Sequence, residues 1–190
     1  MGYSMDKLFE RIINKLREIY PDIDDELNEG AEDCDIKNAE DKLGVQLPQD
    51  FIDFYKIHNG LDTDTGIFYG WAFLSLEFIV SEWENWIELV DSKTFDGIFS
   101  EPDDGIKNDW YNLRWIPIGT DGGGNCICID FDPDKNGLQG QVIEMWHESA
   151  ERILNTSSFK HFIEKYVKDL EEDNLVYDED FGNIDFPWDE

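Results

Sequence analysis

The residues whose types and spacing could do chemistry gather between Trp115 and Glu148. Asp132-Pro133-Asp134-Lys135-Asn136-Gly137 places oxygen donors at alternate positions ahead of a glycine. That is the order of the first half of a calcium loop, where alternate oxygens converge on the ion and glycine permits the bend. The second half departs from it: the twelfth position, which needs a bidentate Glu, is Ile143, and Glu144 comes one residue late. Strand-like segments also flank the loop where helices are required. A turn whose short polar side chains bond their own backbone accounts for the same residues, so no metal is expected.

The other candidates are weaker. Gly122-Gly123-Gly124 could cradle a phosphate, but no Lys-Ser/Thr follows and no helix begins there, so a tight hairpin turn is the better reading. His58, His147 and His161 do not share ligand spacing with one another or with a cysteine, which argues against zinc. Nothing in the sequence marks a Cys-His nucleophile pair. Paired carboxylates for glycoside hydrolysis stay open, but acids and tryptophans are so plentiful that no particular pair stands out. No catalytic residue and no cofactor is therefore assigned.

Binding is the chemistry that remains. Trp83 and Trp86 sit at helical phase and read as core, whereas Trp71, Trp110 and Trp188 lie in less regular surroundings and suit exposed anchors. Asp121, Asp130, Asp132 and Asp134, with Trp71 and Trp146 beside them, are the expected partner contacts. Turn formation and solubility explain those acids equally well.

These residues need a frame. Trp115 to Gly119 is a short apolar strand in which Pro117, lacking an N–H, requires an edge or a bulge. From Cys126 the chain alternates, Ile127, Ile129 and Phe131 facing one way, Cys128 and Asp130 the other. Gln141 to His147 forms a third strand, so the centre is an antiparallel meander. Helical spacing is expected over Asp6–Tyr20, Ile36–Gly44 with Asp35 as cap, from Pro48 to His58 along Phe51, Phe54 and Tyr55, over Leu76–Val90, and after Ser157 through Leu170. Ile67–Leu74 reads as a strand, and Asp22–Asp35 and Ser92–Asp109 as loops. The fold class is thus α+β, an antiparallel sheet with helices packed around it.

Charge narrows the partners. The 190 residues include 15 basic and 45 acidic side chains, a net charge of −30, with 14% aromatics that favour a packed globule over a disordered chain. Such a surface is repelled by nucleic acid and anionic membrane and attracted to basic proteins; a merely solvated exterior is the plainer alternative. No apolar run approaches the roughly 20 residues of a membrane span. The opening Met1–Asp6 has no signal-peptide character, and Cys34, Cys126 and Cys128 make an odd count suited to reduced thiols. A cytoplasmic protein is expected. From Asp169 onward the chain holds ten acids and no base, interleaved with aromatics. Within it, Asp173–Glu190 is expected to be mobile when free and to order on a basic partner.

Two segments together resemble the SUKH superfamily of Smi/Knr-type proteins. The first runs Ile36-Lys37-Asn38-Ala39-Glu40-Asp41-Lys42-Leu43-Gly44-Val45-Gln46-Leu47-Pro48-Gln49-Asp50-Phe51, followed by Asn59-Gly60. The second is Trp115-Ile116-Pro117-Ile118-Gly119 with Asp121, Gly124, the Asp130-to-Pro133 turn and Gly140-Gln141-Val142. The resemblance covers about residues 36–167. It carries no catalytic residue, and the acidic tail 171–190 lies outside it; the chain as a whole is expected to be one Smi/Knr-like domain over 1–190. The resemblance implies function: bacterial members are similar to immunity proteins that neutralise polymorphic toxins, often nucleases or deaminases, and fungal relatives regulate cell-wall glucan synthesis and signalling. The expectation is a non-enzymatic immunity protein blocking a basic toxin nuclease, with a regulatory scaffold of the cell-wall type as the alternative.

Overall fold

The computed structural model describes residues 2–187. Its centre is a five-stranded sheet: β1 (Glu101–Pro102), β2 (Trp115–Thr120), β3 (Cys126–Asp130), β4 (Gln141–Met145) and β5 (Glu151–Thr156), in the order β1-β5-β4-β3-β2. Strands β2 to β5 form an antiparallel meander, and β1 adds in parallel to β5. Pro117 lies on the outer strand β2, and the register shifts between Pro117 and Gly119. The residue that cannot donate to a ladder thus has both an edge and a bulge. Beyond that edge the chain folds back: Ala72 N–H donates to the Thr120 carbonyl at 2.8 Å. This close pass leaves no room for a Cβ at Gly119, which would meet the Ala72 carbonyl oxygen at 2.9 Å.

The alternation along β3 sorts side chains to two buried faces. Ile127, Ile129 and Phe131 join the main core, while Cys126 and Cys128 pack with Trp86, Ile106, Trp115, Ile143 and Met145 in a second, smaller cluster. The sheet is covered on both faces, with helices supplying most of the first cover.

Those helices are α1 (Met5–Ile19), α2 (Ile23–Glu26), α3 (Asp33–Leu43), α4 (Gln49–Tyr55), α5 (Leu76–Asp91) and α6 (Phe159–Glu171). In α1, Leu8, Phe9, Ile12, Ile13 and Leu16 recur at three- and four-residue spacing and are all buried. Each such side chain taken fully out of water is worth about 1.5–3 kcal/mol. The termini are set by local chemistry. Ser75 Oγ accepts from Phe78 N–H at the start of α5, and Ser158 Oγ accepts from His161 N–H at the start of α6. Gly44, at φ +66°, ends α3 in the left-handed conformation that glycine adopts without strain.

Several expectations need correction. Helix α3 begins at Asp33, because Glu32 and Asp35 form a capping box in which Asp35 is the third helical residue, not the cap. Ser158, not Ser157, caps α6. Pro48 is the N-cap of α4, which stops at Tyr55, so His58 lies outside it. Ile67–Leu74 is not a strand: Tyr69 and Gly70 both take positive φ, and Phe68 and Trp71 close a turn around them. The Tyr69 strain is held by its hydroxyl donating to Asp169 at 2.7 Å. Strand β5 and helix α2 were not legible as elements.

The tail expectation also changes over its described part. Val176–Asp178 (β6) and Asn183–Asp185 (β7) pair as a hairpin. Gly70 N–H donates to the Ile184 carbonyl at 3.0 Å, and Ile184 N–H donates to the Gly66 carbonyl at 2.9 Å. The Ile184 side chain is 0% exposed and belongs to the same core as α1. The core therefore extends on both sides of 36–167, and residues 173–187 are bound to it. Burial of Leu175 and Ile184 explains why: the acids between them point to water while the apolar residues anchor the segment. Trp188 lies outside the described residues.

Candidate functional site

The six expected contact residues separate into two groups at opposite ends of β3, a strand of five residues spanning roughly 14 Å. At one end sit Trp71, Trp146 and Asp121. Trp71 and Trp146 meet edge to face, with centroids 5.9 Å apart and planes at 63°. Trp71 is 6% exposed and packs into the main core, so it is not the exposed anchor that its irregular surroundings suggested. Trp146 is half-buried against it.

Asp121 organises the glycine turn. Its Oδ1 accepts from Gly123 N–H at 2.8 Å and Asn125 N–H at 3.2 Å, and its Oδ2 accepts from Asn125 Nδ2 at 2.7 Å. His147 closes the turn from above: its N–H donates to Asn125 Oδ1 at 2.9 Å, and a Cβ on Gly124 would lie 3.0 Å from Nδ1 of its ring. The glycines make a hairpin, and Asp121 spends its acceptors on the turn. Its carboxylate is nonetheless exposed, so a cation could still approach it.

At the other end lie Asp130, Asp132 and Asp134. Asp130 is 0% exposed, which removes it from any contact surface. Its Oδ1 accepts from Asp132 N–H and its Oδ2 from Gln141 Nε2, both at 2.8 Å. Burial raises its carboxyl above the ordinary range, against the pull of those hydrogen bonds. Asp132 is partly exposed and doubly held, by Lys107 Nζ at 2.6 Å and Asn112 Nδ2 at 3.0 Å. Burial works to raise its carboxyl, and the bonds from Asn112 and Lys107 outweigh it, leaving it lowered. Asp134 is exposed, its N–H donating to the Gly105 carbonyl at 3.0 Å. Asn136 turns its amide to Asp104 at 2.9 Å. The Asp132 and Asn136 side chains of the Asp-x-Asp-x-Asn-Gly stretch thus bond to neighbours across the surface instead of converging on a centre. Among the described residues, no group of three or more His, Cys, Asp or Glu is placed to hold a metal ion.

Sequence reasoning missed Arg152. It is 1% exposed in β5 and lies over Trp110, donating to the carbonyls of Trp110 at 2.7 Å and of Trp146 and Ser149 at 3.0 Å. It fixes the loop that carries Trp146 and His147. The only sequence signal was a lone cation in strand alternation after Glu151.

A five-stranded, mostly antiparallel sheet clad in helices defines an α+β protein. The model of the SMI1/KNR4 family (SUKH-1) matches residues 30–165, and the chain belongs to that family. It is 26% identical to the glucan synthesis regulatory protein of Neurospora crassa, over 93% of this chain and 40% of that protein. It is 28% identical to the cell wall biosynthesis/cell cycle regulator of Schizosaccharomyces pombe, over 93% of this chain and 38% of that protein. The chain thus spans about 40% of the length of these fungal relatives, both named as regulators and not as enzymes. It is also 28% identical to the SPbeta prophage-derived uncharacterized protein YokK of Bacillus subtilis, over 89% of this chain and 94% of that protein. Among the described residues, no helix is long and apolar enough to cross a membrane.

Proposed function

We propose that the chain is a protein-binding regulatory domain that acts on cell-wall glucan synthesis or on the signalling that governs it. This reading reverses the order in which sequence alone ranked the two possibilities. The observation that carries it is family membership together with fungal relatives named for glucan synthesis and cell-wall regulation. The physical logic is capture without chemistry: a net charge of −30 accelerates encounter with a cationic partner, and half-buried aromatics such as Trp146 slow its release. The proposal takes residues 1–190 as one domain acting in the cytoplasm on a basic protein partner, with no direct contact to nucleic acid or membrane.

A second reading, an immunity protein that blocks a basic toxin nuclease, is favoured by one observation. The prophage protein of Bacillus subtilis aligns over 94% of its own length, so a protein of this size stands alone there. One experiment separates the two. The gene is removed from the source organism, and wall glucan content is measured alongside survival beside toxin-bearing neighbours. The regulatory reading expects altered glucan content and unaltered survival. Unaltered glucan with lost survival overturns it in favour of immunity.

A further inference from the structure

We infer that the groove between the end of α5 and residues 109–111 is a docking site for a basic segment of the partner that inserts one large apolar side chain there. This deepens the protein-binding reading above and rests on it. The groove is open to solvent and has a volume of about 180 Å³. Val90 at the end of α5, with Ile98 and Phe99 beyond it, forms the lip, at 36%, 45% and 65% exposure. These are three of the ten large apolar side chains exposed among the described residues, and one hollow gathers them. Single exposed apolar residues need no explanation, but a contiguous group rimmed by polar residues marks a contact site.

The base of the groove is preformed. Phe95 stacks on Trp110, with centroids 6.1 Å apart and planes at 9°, and meets Tyr111 edge to face at 5.1 Å. Tyr111 in turn meets Trp86 edge to face at 5.2 Å, and Trp86 is buried in the smaller core cluster. Trp110, suggested as an anchor by its irregular surroundings, is half-buried in this wall. Backbone bonds set the lip: Ile98 N–H donates to the Phe95 carbonyl at 3.0 Å, and Ser100 N–H donates to the Asn108 carbonyl at 2.9 Å. These contacts tie the groove to the core and leave the lip in water.

Charge selects the occupant. Asp96 and Asp109 line the groove, and Asp91 follows Val90 directly. None of the three forms an ion pair among the described residues, so the exposed Lys93 in the same loop neutralises none of them. Arg152, 5.1 Å from the centroid of the Trp110 ring, sets one positive charge against them. An apolar cavity of about 150 Å³ holds benzene, so a hollow of this size takes one ring or branched aliphatic side chain. Lysines or arginines beside that side chain meet the aspartates. A second copy of this chain, at net charge −30, would bring acids to acids, and nucleic acid would bring phosphates.

The probe is a fluorescent peptide with a central Phe flanked by lysines in a Gly/Ser background. In one control peptide Ala replaces the Phe, and in another serines replace the lysines. Binding to the full chain is read by anisotropy for wild type, Ile98→Ser, Phe99→Ser and Phe78→Ser. The last removes a ring that is 63% exposed on α5, roughly 18 Å from Val90 along the helix. The expected result is that Ile98→Ser and Phe99→Ser each lose about fivefold or more in affinity for the Phe peptide, while Phe78→Ser binds it as wild type. The Ala peptide binds weakly and equally to all four proteins. A Phe peptide that fails to bind, or binds no better than the Ala peptide, overturns the inference. So does an equal loss in Phe78→Ser, which would show unspecific apolar adhesion, or undiminished binding of the lysine-free peptide, which would show that charge does not choose the occupant. Each failure leaves the regulatory reading to be decided by the glucan measurement.

Discussion

Arg152 lies with its guanidinium carbon 5.1 Å from the centroid of the Trp110 ring, buried at 1% exposure, and among the described residues it has no carboxylate partner. In a chain so rich in acids, this cation sits on carbonyl oxygens and an aromatic face, bonding through Nη1 and Nη2 while its buried Nε has no hydrogen-bond partner among the described residues. Burial lowers its pKa to about 10, so it stays charged at neutral pH. Removing it leaves several buried carbonyls without donors. Arg152→Met should therefore cost about 1–3 kcal/mol in urea unfolding, and Arg152→Lys, which keeps the charge but not the planar fork, should recover part of that. A loss under about 1 kcal/mol for the Met variant would mean that water replaces the guanidinium freely.

Asp132 supplies a test with a definite sign. Its carboxyl is lowered although burial works to raise it, because Asn112 and Lys107 bond to the ionised form. A group lowered on folding adds stability above its unfolded value, and that stability fades as pH falls through the folded value. Asp132→Asn should thus lower the urea midpoint at neutral pH, and the gap from wild type should close below about pH 4. A gap independent of pH would contradict the assigned role.

The glycine turn beside Trp146 depends on backbone freedom at Gly124, where φ is +101° and the His147 ring occupies the space a Cβ would need. Gly124→Ala should cost about 1–3 kcal/mol in a thermal or denaturant melt and shift the His147 ring resonances. An unchanged melt with unchanged resonances would mean that the turn tolerates another conformation.

The C-terminal hairpin is held by Ile184 within the core and by Arg11, whose Nε and Nη2 donate to Glu171 at 2.7 and 2.6 Å just before it. Ile184→Ala should destabilise the chain by about 2–5 kcal/mol and open the 174–187 segment to protease, whereas the wild-type segment resists. Rapid cleavage of the wild type there would restore the expectation of a mobile tail.

The sequence disclosed what local chemistry decides. Pro117 foretold the edge and the bulge, Gly44 the end of α3, and the alternation along β3 the two faces of the sheet. It failed where partners come from afar. Asp130 looks like any turn acid until Gln141 and the backbone of Asp132 enclose it. Strand β5 hides behind Glu151 and Arg152, whose charges read as surface, although Arg152 is buried against the Trp110 ring. The tail reads as disordered by composition, and two apolar side chains, Leu175 and Ile184, override its acids. The contact residues suffered most: Trp71 turned out to be core, and the acids divided between two turns.

The central claim is that this exterior recognises a cationic protein, and the most direct measurement is the association rate with the isolated partner as salt is raised. The account predicts that the on-rate falls by about tenfold or more between low salt and roughly 0.5 M, as the Debye length shrinks, while the off-rate changes little. An on-rate that is flat across that range would contradict it.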